Sequence, residues 1–455
     1  MIPSVETAPR AFDITCDTLI VGAGACGLVA ALAAADAGRA PLVIEADPVP
    51  RGSTALSAGL IPAAGTRLQA AAGVEDSPAL FARDIMAKAR GQNDPAVVDA
   101  LSRHAAPVIE WLADRHGLPF SVVEDFDYPG HSRRRMHGLP TRAGTELIDA
   151  LRTAVEREGI DIICNRRAVT LSLDGDTIRG VTVLRGGGGT ESIGCTRLIL
   201  ACNGFGGHRA LVARHMPEIA DALWFGHDGN KGEAVIWGDA LGAALDQMGA
   251  FQGHGNVAFP EGILITWAVI TAGGIQVNRE GLRFWDESRG YSEAARVVLA
   301  QPDGIAFAIF DARIAEIARQ FEDFKRAETA GAIKEGETPA ALAAALGLPA
   351  ATLAQTIADC PWGGTDGFGR TFGDEALRPP YLGVRVTGAL FHTQGGLKTD
   401  GDGRVLKATG GPFPNLFAGG GAAAGVSGPA DDGYLSGNGL LSAVVLGARA
   451  ARAES

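Results

Sequence analysis

The sequence predicts an α/β fold in which the first and last stretches of the chain build one sheet-containing domain and the middle is an insertion. Three observations predict it. Residues Thr15 to Glu45 read as strand, glycine turn, helix and strand, ending in an acid. Residues Asn415 to Ala453 read as strand, glycines, loop and long apolar helix. The 63 glycines and 46% apolar residues among 455 suit an α/β chain of two to three domains, with large cores and close backbone approaches, better than a coiled or fibrous one.

In the first stretch the β-branched run Thr18-Leu19-Ile20-Val21 feeds into Gly22-Ala23-Gly24-Ala25-Cys26-Gly27 and an alanine-rich helix. Gly22 allows the tight turn, Gly24 lets the backbone approach a pyrophosphate, and Gly27 lets the helix pack closely on its strand. Phosphates would then sit on the amides of the helix N-terminus, at Ala25 and Cys26. A second strand, Pro41 to Ile44, ends at Glu45, eighteen residues after Gly27, placed to accept hydrogen bonds from an adenosine ribose. The order is that of a Rossmann-like dinucleotide site.

The loop Ala46 to Gln69 carries Ser53, Thr54 and Ser57, whose hydroxyls and neighbouring amides suit a cofactor's phosphate and ring. Pro78 to His116 is helical in pattern. The loop from Phe126 to Leu151 carries Tyr128, His131, His137 and arginines 133 to 135, with a helix begun near Thr141; the arginine run reads as a solvated face. Ile160 to Gly204 reads as strands with turns at Asp174-Gly175 and at Gly186 to Gly189. Its last strand, Leu198 to Ala201, returns to the main sheet and closes on Cys202-Asn203-Gly204, facing a cofactor. Gly226 to Gly249 is a glycine-rich loop and a helix. From Ile270 to Ala300 a short hairpin and a helix are expected, then a helical region to about Ala358 and strands in Arg378 to Val405. In the final stretch a strand, Leu416 to Ala418, leads to a helix from near Asn438, whose N-terminus can stabilise negative charge on a cofactor.

Taken together, GAGACG with Glu45, GSTALSAG, NREGLRFWDES, FHTQGGLKTD and NLFAGGG…YLSGNGLLSAVVLG resemble the flavoprotein family of fumarate reductases, succinate dehydrogenases and 3-ketosteroid dehydrogenases. The resemblance implies a Rossmann-like FAD-binding domain of the glutathione reductase type, from 1–263 and 392–455. It also implies an inserted α+β cap domain, 264–391, with substrate at their junction. The FAD contacts it implies are Gly22, Gly24, Ala25, Cys26, Gly27, Glu45, Ala46, Ser53, Thr54, Ser57, Ala58, Gly59, Ala168, Cys202, Asn203, Gly204, Gly420, Asn438, Gly439 and Leu440. The FAD is expected to be non-covalent, since RGSTALSAG holds no histidine.

Departures from the family are specific. Where fumarate reductases have RFxNExTTR, this chain has RFWDESRGY, so the proton-donating arginine is replaced by Tyr291. Where they have NRLGGNAL it has GYLSGNGL, so the arginine that clamps a substrate carboxylate is replaced by Tyr434. Without it the bidentate fork is lost. Gly421 stands where the family has a carboxylate facing the ribityl chain, while His392 matches the family's histidine. The chain has only four tyrosines, at 128, 291, 381 and 434, and two of them occupy these positions. The pattern resembles the ketosteroid dehydrogenase branch, closest to enzymes that desaturate the ring bond between carbons 4 and 5.

That resemblance implies removal of two hydrogens α,β to a ketone in a steroid or smaller alicyclic ring. Tyr434 would donate to the carbonyl. Tyr291 would take the α-proton, its phenol brought down from about 10 by neighbouring donors. Ser436 and His392 would relay or orient, a hydride would pass to the flavin, and no metal is needed. The partners expected are a cyclic ketone and an electron acceptor. Two alternatives stay open: a fumarate reductase-like ene-reductase, with arginines 133 to 135 or Arg289 as substitute clamps, and a flavoprotein redox partner without turnover. A net charge of −12 leaves no basic face for nucleic acid or anionic lipid. No run suits a membrane span, and the opening MIPSVETAPRAFDI lacks a signal core. Six cysteines without paired spacing point to a reducing, cytoplasmic setting.

Overall fold

The computed structural model describes residues 3–124 and 128–454; Phe126, at the start of the histidine- and arginine-bearing loop, lies outside the described residues. The chain forms two compact units. The first is Met1–Met216, Gly226–Phe251 and His392–Ser455; the second is Pro217–Phe225 and Gln252–Phe391.

In the first unit β1 (Ile14–Val21) lies in the middle of a parallel set. On one side it pairs with β2 (Pro41–Ile44), which pairs in turn with Ile162–Ile163. On the other side it pairs with β5 (Thr190–Leu200), which pairs with β6 (Pro412–Ala418). The returning strand and the last strand therefore both join the sheet begun near the N-terminus. Two further strands, β3 (Arg166–Asp174) and β4 (Thr177–Arg185), form an antiparallel ribbon that continues from the first half of β5. Gly180 and Gly194 face each other across β4 and β5, and a Cβ on either would fall within 2.8 Å of the Phe12 ring. The two glycines thus make room for a side chain that covers the ribbon.

Helix α1 (Ala25–Asp36) is buried from Ala25 to Ala34. A helix apolar on every side needs cover on every side, and α1 has it from the sheet and from α2 (Asn438–Arg452). The contact between the helices is close enough to require glycine: a Cβ on Gly447 would lie 2.5 Å from the Cys26 carbonyl oxygen. The helical stretch from Pro78 divides into Pro78–Lys88 and Pro95–Asp114, each with proline in its first turn behind a capping side chain, Ser77 or Asp94. The helix expected near Thr141 is Gly144–Arg157.

The second unit has a seven-stranded sheet whose central strand is Tyr381–Thr393. Two expectations are corrected here. Ile275–Val277 is a strand, but its partner is Ile305–Asp311 and not a neighbouring hairpin arm. After the turn closed by Asn278 and Leu282 the chain enters a short 3-10 turn, Glu287–Arg289, and the helix Tyr291–Leu299. The region after Ala300 is also not uniformly helical, because Ile305–Asp311 is a fully buried strand. Its unbroken apolar run, IAFAIF before Asp311, has neither a strand's nor a helix's periodicity, so only burial decides it. Among the described residues no helix is long and apolar enough to cross a membrane.

Gly447→Ala is expected to lower stability by about 1–3 kcal/mol, read as a lower urea midpoint with unchanged slope. A wild-type midpoint would contradict the helix contact.

Candidate functional site

In the first unit the C-terminal ends of β1, β2 and β5 lie side by side at one edge, the place where open parallel sheets take ligands. Gly22 leaves β1 at φ +107°, and a Cβ there would sit 2.4 Å from the Ala201 carbonyl oxygen. A Cβ on Gly27 would sit 1.8 Å from the Gly22 carbonyl oxygen. Gly24 differs, since its Cβ would meet only Thr54 Oγ1, at 3.5 Å. Its open side is where a ligand can approach. Thr54 Oγ1 accepts a hydrogen bond from the Ala25 amide at 2.9 Å, so the loop after Glu45 lies across the N-terminus of α1.

Glu45 is buried and accepts from the amides of Ala23 (2.7 Å) and Asp47 (3.0 Å). Each oxygen keeps a lone pair for a further donor. Ser57 turns inward: its hydroxyl donates to Thr54 O (2.7 Å) and accepts from the Gly59 amide (3.0 Å). Ser53 Oγ accepts from Asn230 Nδ2 at 3.1 Å, and His227 Nε2 lies 2.9 Å from Asp47 Oδ2. His227 and Asn230 therefore brace the cofactor loop. Sequence reading missed them, because the stretch from Gly226 shows only turn residues. Beyond β5, Asn203 adopts φ +65°, and Gly204 packs against Thr393 and Gly421. Ala168 is buried in β3 opposite Val183.

The other part of this unit's site surrounds the N-terminus of α2. Gly437 precedes the helix at φ +86°, and the His392 ring lies over its first turn, 3.1 Å from where a Gly439 Cβ would be. Tyr434 is buried, edge-on to His392 with ring centroids 5.7 Å apart. His392 Nδ1 accepts from Gln394 Nε2 (3.0 Å), and Gln394 Oε1 accepts from Ser427 Oγ (2.9 Å). Gly420, at φ +57°, lies between Cys26 and Ala443. Asn438 Oδ1 and Ser442 Oγ are buried without hydrogen-bond partners. A glycine cradle, a helix N-terminus and an unmet buried acceptor are what a phosphate-bearing cofactor with a polar ring would satisfy.

The loop before Gly144 supports this corner. His131 Nε2 donates to the Ser436 carbonyl oxygen at 2.9 Å, across 305 residues of sequence. Arg135 is not a solvated residue, contrary to the expectation for the arginine run: it is 1% exposed, because Asp76 (2.9 Å) and Asp84 (2.5 Å) neutralise it and Phe81 lies under its guanidinium. Arg133 is exposed and bonds backbone carbonyls. Arg135 is thereby committed to structure rather than available as a ligand clamp.

In the second unit Tyr291 is the first residue of its helix, after Gly290 at φ +132°. The preceding turn is held by a buried network. Glu287 pairs with Arg283 (2.5 Å) and Arg370 (3.1 Å), and accepts from the Gln276 amide (2.9 Å). The Tyr291 ring stacks on His254, 5.1 Å between centroids and 21° between planes. Phe391 stacks on the same histidine at 5.5 Å and Trp267 meets its edge at 5.8 Å. Sequence reading did not single out His254: a lone histidine in the strand Phe251–Ala258 carries no signal until the sheet brings these rings to it.

Burial pushes four histidines down, His131, His137 and His392 to about 4 and His254 to about 3. The unfolded chain's histidines charge below about pH 6.5. Between about pH 6.5 and 4 the unfolded state therefore binds more protons, and stability falls as the pH drops. The urea midpoint is expected to fall from pH 7 to 4.5, less steeply in His254→Gln; a flat wild-type profile would contradict the neutral burial.

Comparison with known proteins places this arrangement. The chain is 31% identical to a probable fumarate reductase of Shewanella frigidimarina over 443 residues, which are 95% of this chain and 74% of that protein. Among solved structures it is similar to the open conformation of a flavocytochrome c3 fumarate reductase, with a TM-score of 0.83, 30% identity and coverage of 97% of this chain and 78% of that one. It is also similar to the 3-ketosteroid-delta4-(5alpha)-dehydrogenase of Rhodococcus jostii RHA1 in complex with 4-androstene-3,17-dione. There the TM-score is 0.79, at 25% identity over 99% of both chains. Residues 17–440 match the family described as FAD binding domain, and the chain belongs to it as an FAD-dependent oxidoreductase of the fumarate reductase and ketosteroid dehydrogenase group.

Proposed function

We propose that the enzyme introduces a carbon–carbon double bond α,β to a ketone in a steroid or smaller alicyclic ring. The observation that carries this reading is the surroundings of the two tyrosines that stand where fumarate reductases have arginine. Tyr434 lies against His392, which burial pushes down to about 4, and Tyr291 against His254, pushed down to about 3. Neither phenol is accompanied by a charged imidazole at neutral pH. A carboxylate substrate calls for cations and paired donors, whereas a neutral carbonyl needs only aligned donors and an apolar wall, which Phe391, Trp267 and Phe225 supply in the second unit.

In this reading Tyr434 donates a hydrogen bond to the ketone oxygen, where negative charge grows as the α-proton leaves. Tyr291 accepts that proton on its phenol oxygen. Bound non-covalently, FAD supplies the acceptor for the hydride that leaves the β-carbon, so the substrate loses one proton and one hydride and gains the double bond. Ser436 and His392 orient the oxygen-binding side, and His131 holds the Ser436 backbone from behind. The segment 264–391 is assigned the recognition of substrate. An external acceptor then takes the electrons. The setting proposed is a reducing, cytoplasmic one, from the unpaired spacing of the six cysteines in the sequence.

The reverse reaction, reduction of an activated alkene, is favoured by the overall similarity to fumarate reductases. Against it, Arg135 is spent on Asp76 and Asp84. Tyr291→Phe and Tyr434→Phe, each with FAD retained, are expected to slow ketone-driven reduction of the flavin by more than about 100-fold. An undiminished rate in either variant would overturn the assignment.

A further inference from the structure

In the first unit a line of buried polar side chains runs from the N-terminus of α2 to His392. Asn438 Nδ2 donates to Ser427 Oγ at 3.5 Å, Ser427 Oγ donates to Gln394 Oε1 at 2.9 Å, and Gln394 Nε2 donates to His392 Nδ1 at 3.0 Å. Asn438 and Ser427 are fully buried, and Gln394 is 5% exposed. With Asn438 and Ser427 enclosed by protein, the role each group takes constrains the role of the next.

The direction of the last bond has a chemical consequence. A neutral imidazole carries a single N–H, so a histidine whose Nδ1 accepts must carry its hydrogen on Nε2. A competing arrangement is at hand, because the Thr393 carbonyl oxygen lies 3.4 Å from the same Nδ1 and would accept from it if the hydrogen were there. The Gln394 amide is closer. It is also held facing His392, since the other end of the amide is occupied by the Ser427 hydroxyl.

We propose that Gln394 is a positioning residue that holds His392 as the Nε2–H tautomer, so that this ring is a hydrogen-bond donor and not a proton acceptor at the site. A donor beside Tyr434 suits a substrate that presents a neutral oxygen, and it leaves removal of the α-proton to another group. In that consequence the inference rests on the ketone reading. The tautomer itself does not.

The test uses the FAD-loaded protein labelled with 15N-histidine at pH 8, with the His392 signals assigned by their loss in His392→Gln. Wild type is expected to show a protonated Nε2 and an unprotonated Nδ1. Gln394→Glu, in its ionised form, offers only acceptors to Nδ1 and is expected to move the hydrogen there; Gln394→Met, which frees Nδ1 for the Thr393 carbonyl whatever the pH, is expected to move it in the same direction. With a ketone that reduces the wild-type flavin, Gln394→Glu should lower kcat at least about tenfold while KM changes less. A wild-type His392 protonated at Nδ1, or a tautomer indifferent to both substitutions, would overturn the inference. Should one variant fail to fold, the wild-type spectrum and the other variant still decide it. If no ketone reduces the wild-type flavin the ketone reading falls, and the spectra judge Gln394 separately.

Discussion

The contact on which the rest of this structure depends is between two backbones: Gly27 against the carbonyl of Gly22, at a separation that a single methyl group would close. It seats the first turn of α1 directly on the end of β1, so that the helix N-terminus lies at the C-terminal edge of the sheet. The second half of the same constraint is Gly447 on Cys26, which lays α2 along α1. Residues more than four hundred positions apart are locked by atoms that glycine leaves bare.

The helix alignment carries chemistry with it. The start of α2 lies together with half-buried His392 and the buried Gln394 and Tyr434 in one corner of the first unit. Burial there suppresses charge: His392 and His131 are both held neutral, and the charge of Arg135, 3.4 Å from the His131 ring, is met by Asp76 and Asp84. In a low-dielectric setting of this kind orientation decides more than net charge does. Oriented neutral donors favour charge that develops during a reaction over charge that is present from the start.

Local constraints were legible in the sequence and long-range ones were not. The spacing from Gly22 to Glu45 encodes a strand, a turn and a helix whose geometry depends on neighbours a few residues away, and the structure has them in that order. The return of Leu198 to Ala201 and of Leu416 to Ala418 to the same sheet followed from short apolar runs ending in glycine. The strand Ile305–Asp311 was hidden by the alanine-rich helices after it. His254 had no signal of its own, since its neighbours Tyr291 and Phe391 come from distant parts of the second unit. Gln394 was visible only as a letter inside a motif; its meaning depends on Ser427, thirty-three residues on. Arg135 was misread because Asp76 and Asp84, more than fifty residues earlier, decide whether an arginine meets water or an acid.

The central claim is that this flavoenzyme takes hydrogen from neutral cyclic ketones. It is tested most directly by mixing the oxidised, FAD-loaded protein anaerobically with steroid and smaller alicyclic ketones, and the chemically reduced protein with fumarate and urocanate. The account predicts that at least one ketone bleaches the flavin's yellow absorbance in a rapid first turnover and that neither carboxylate restores it. Rapid return of colour with fumarate or urocanate, with every ketone inert, would contradict it.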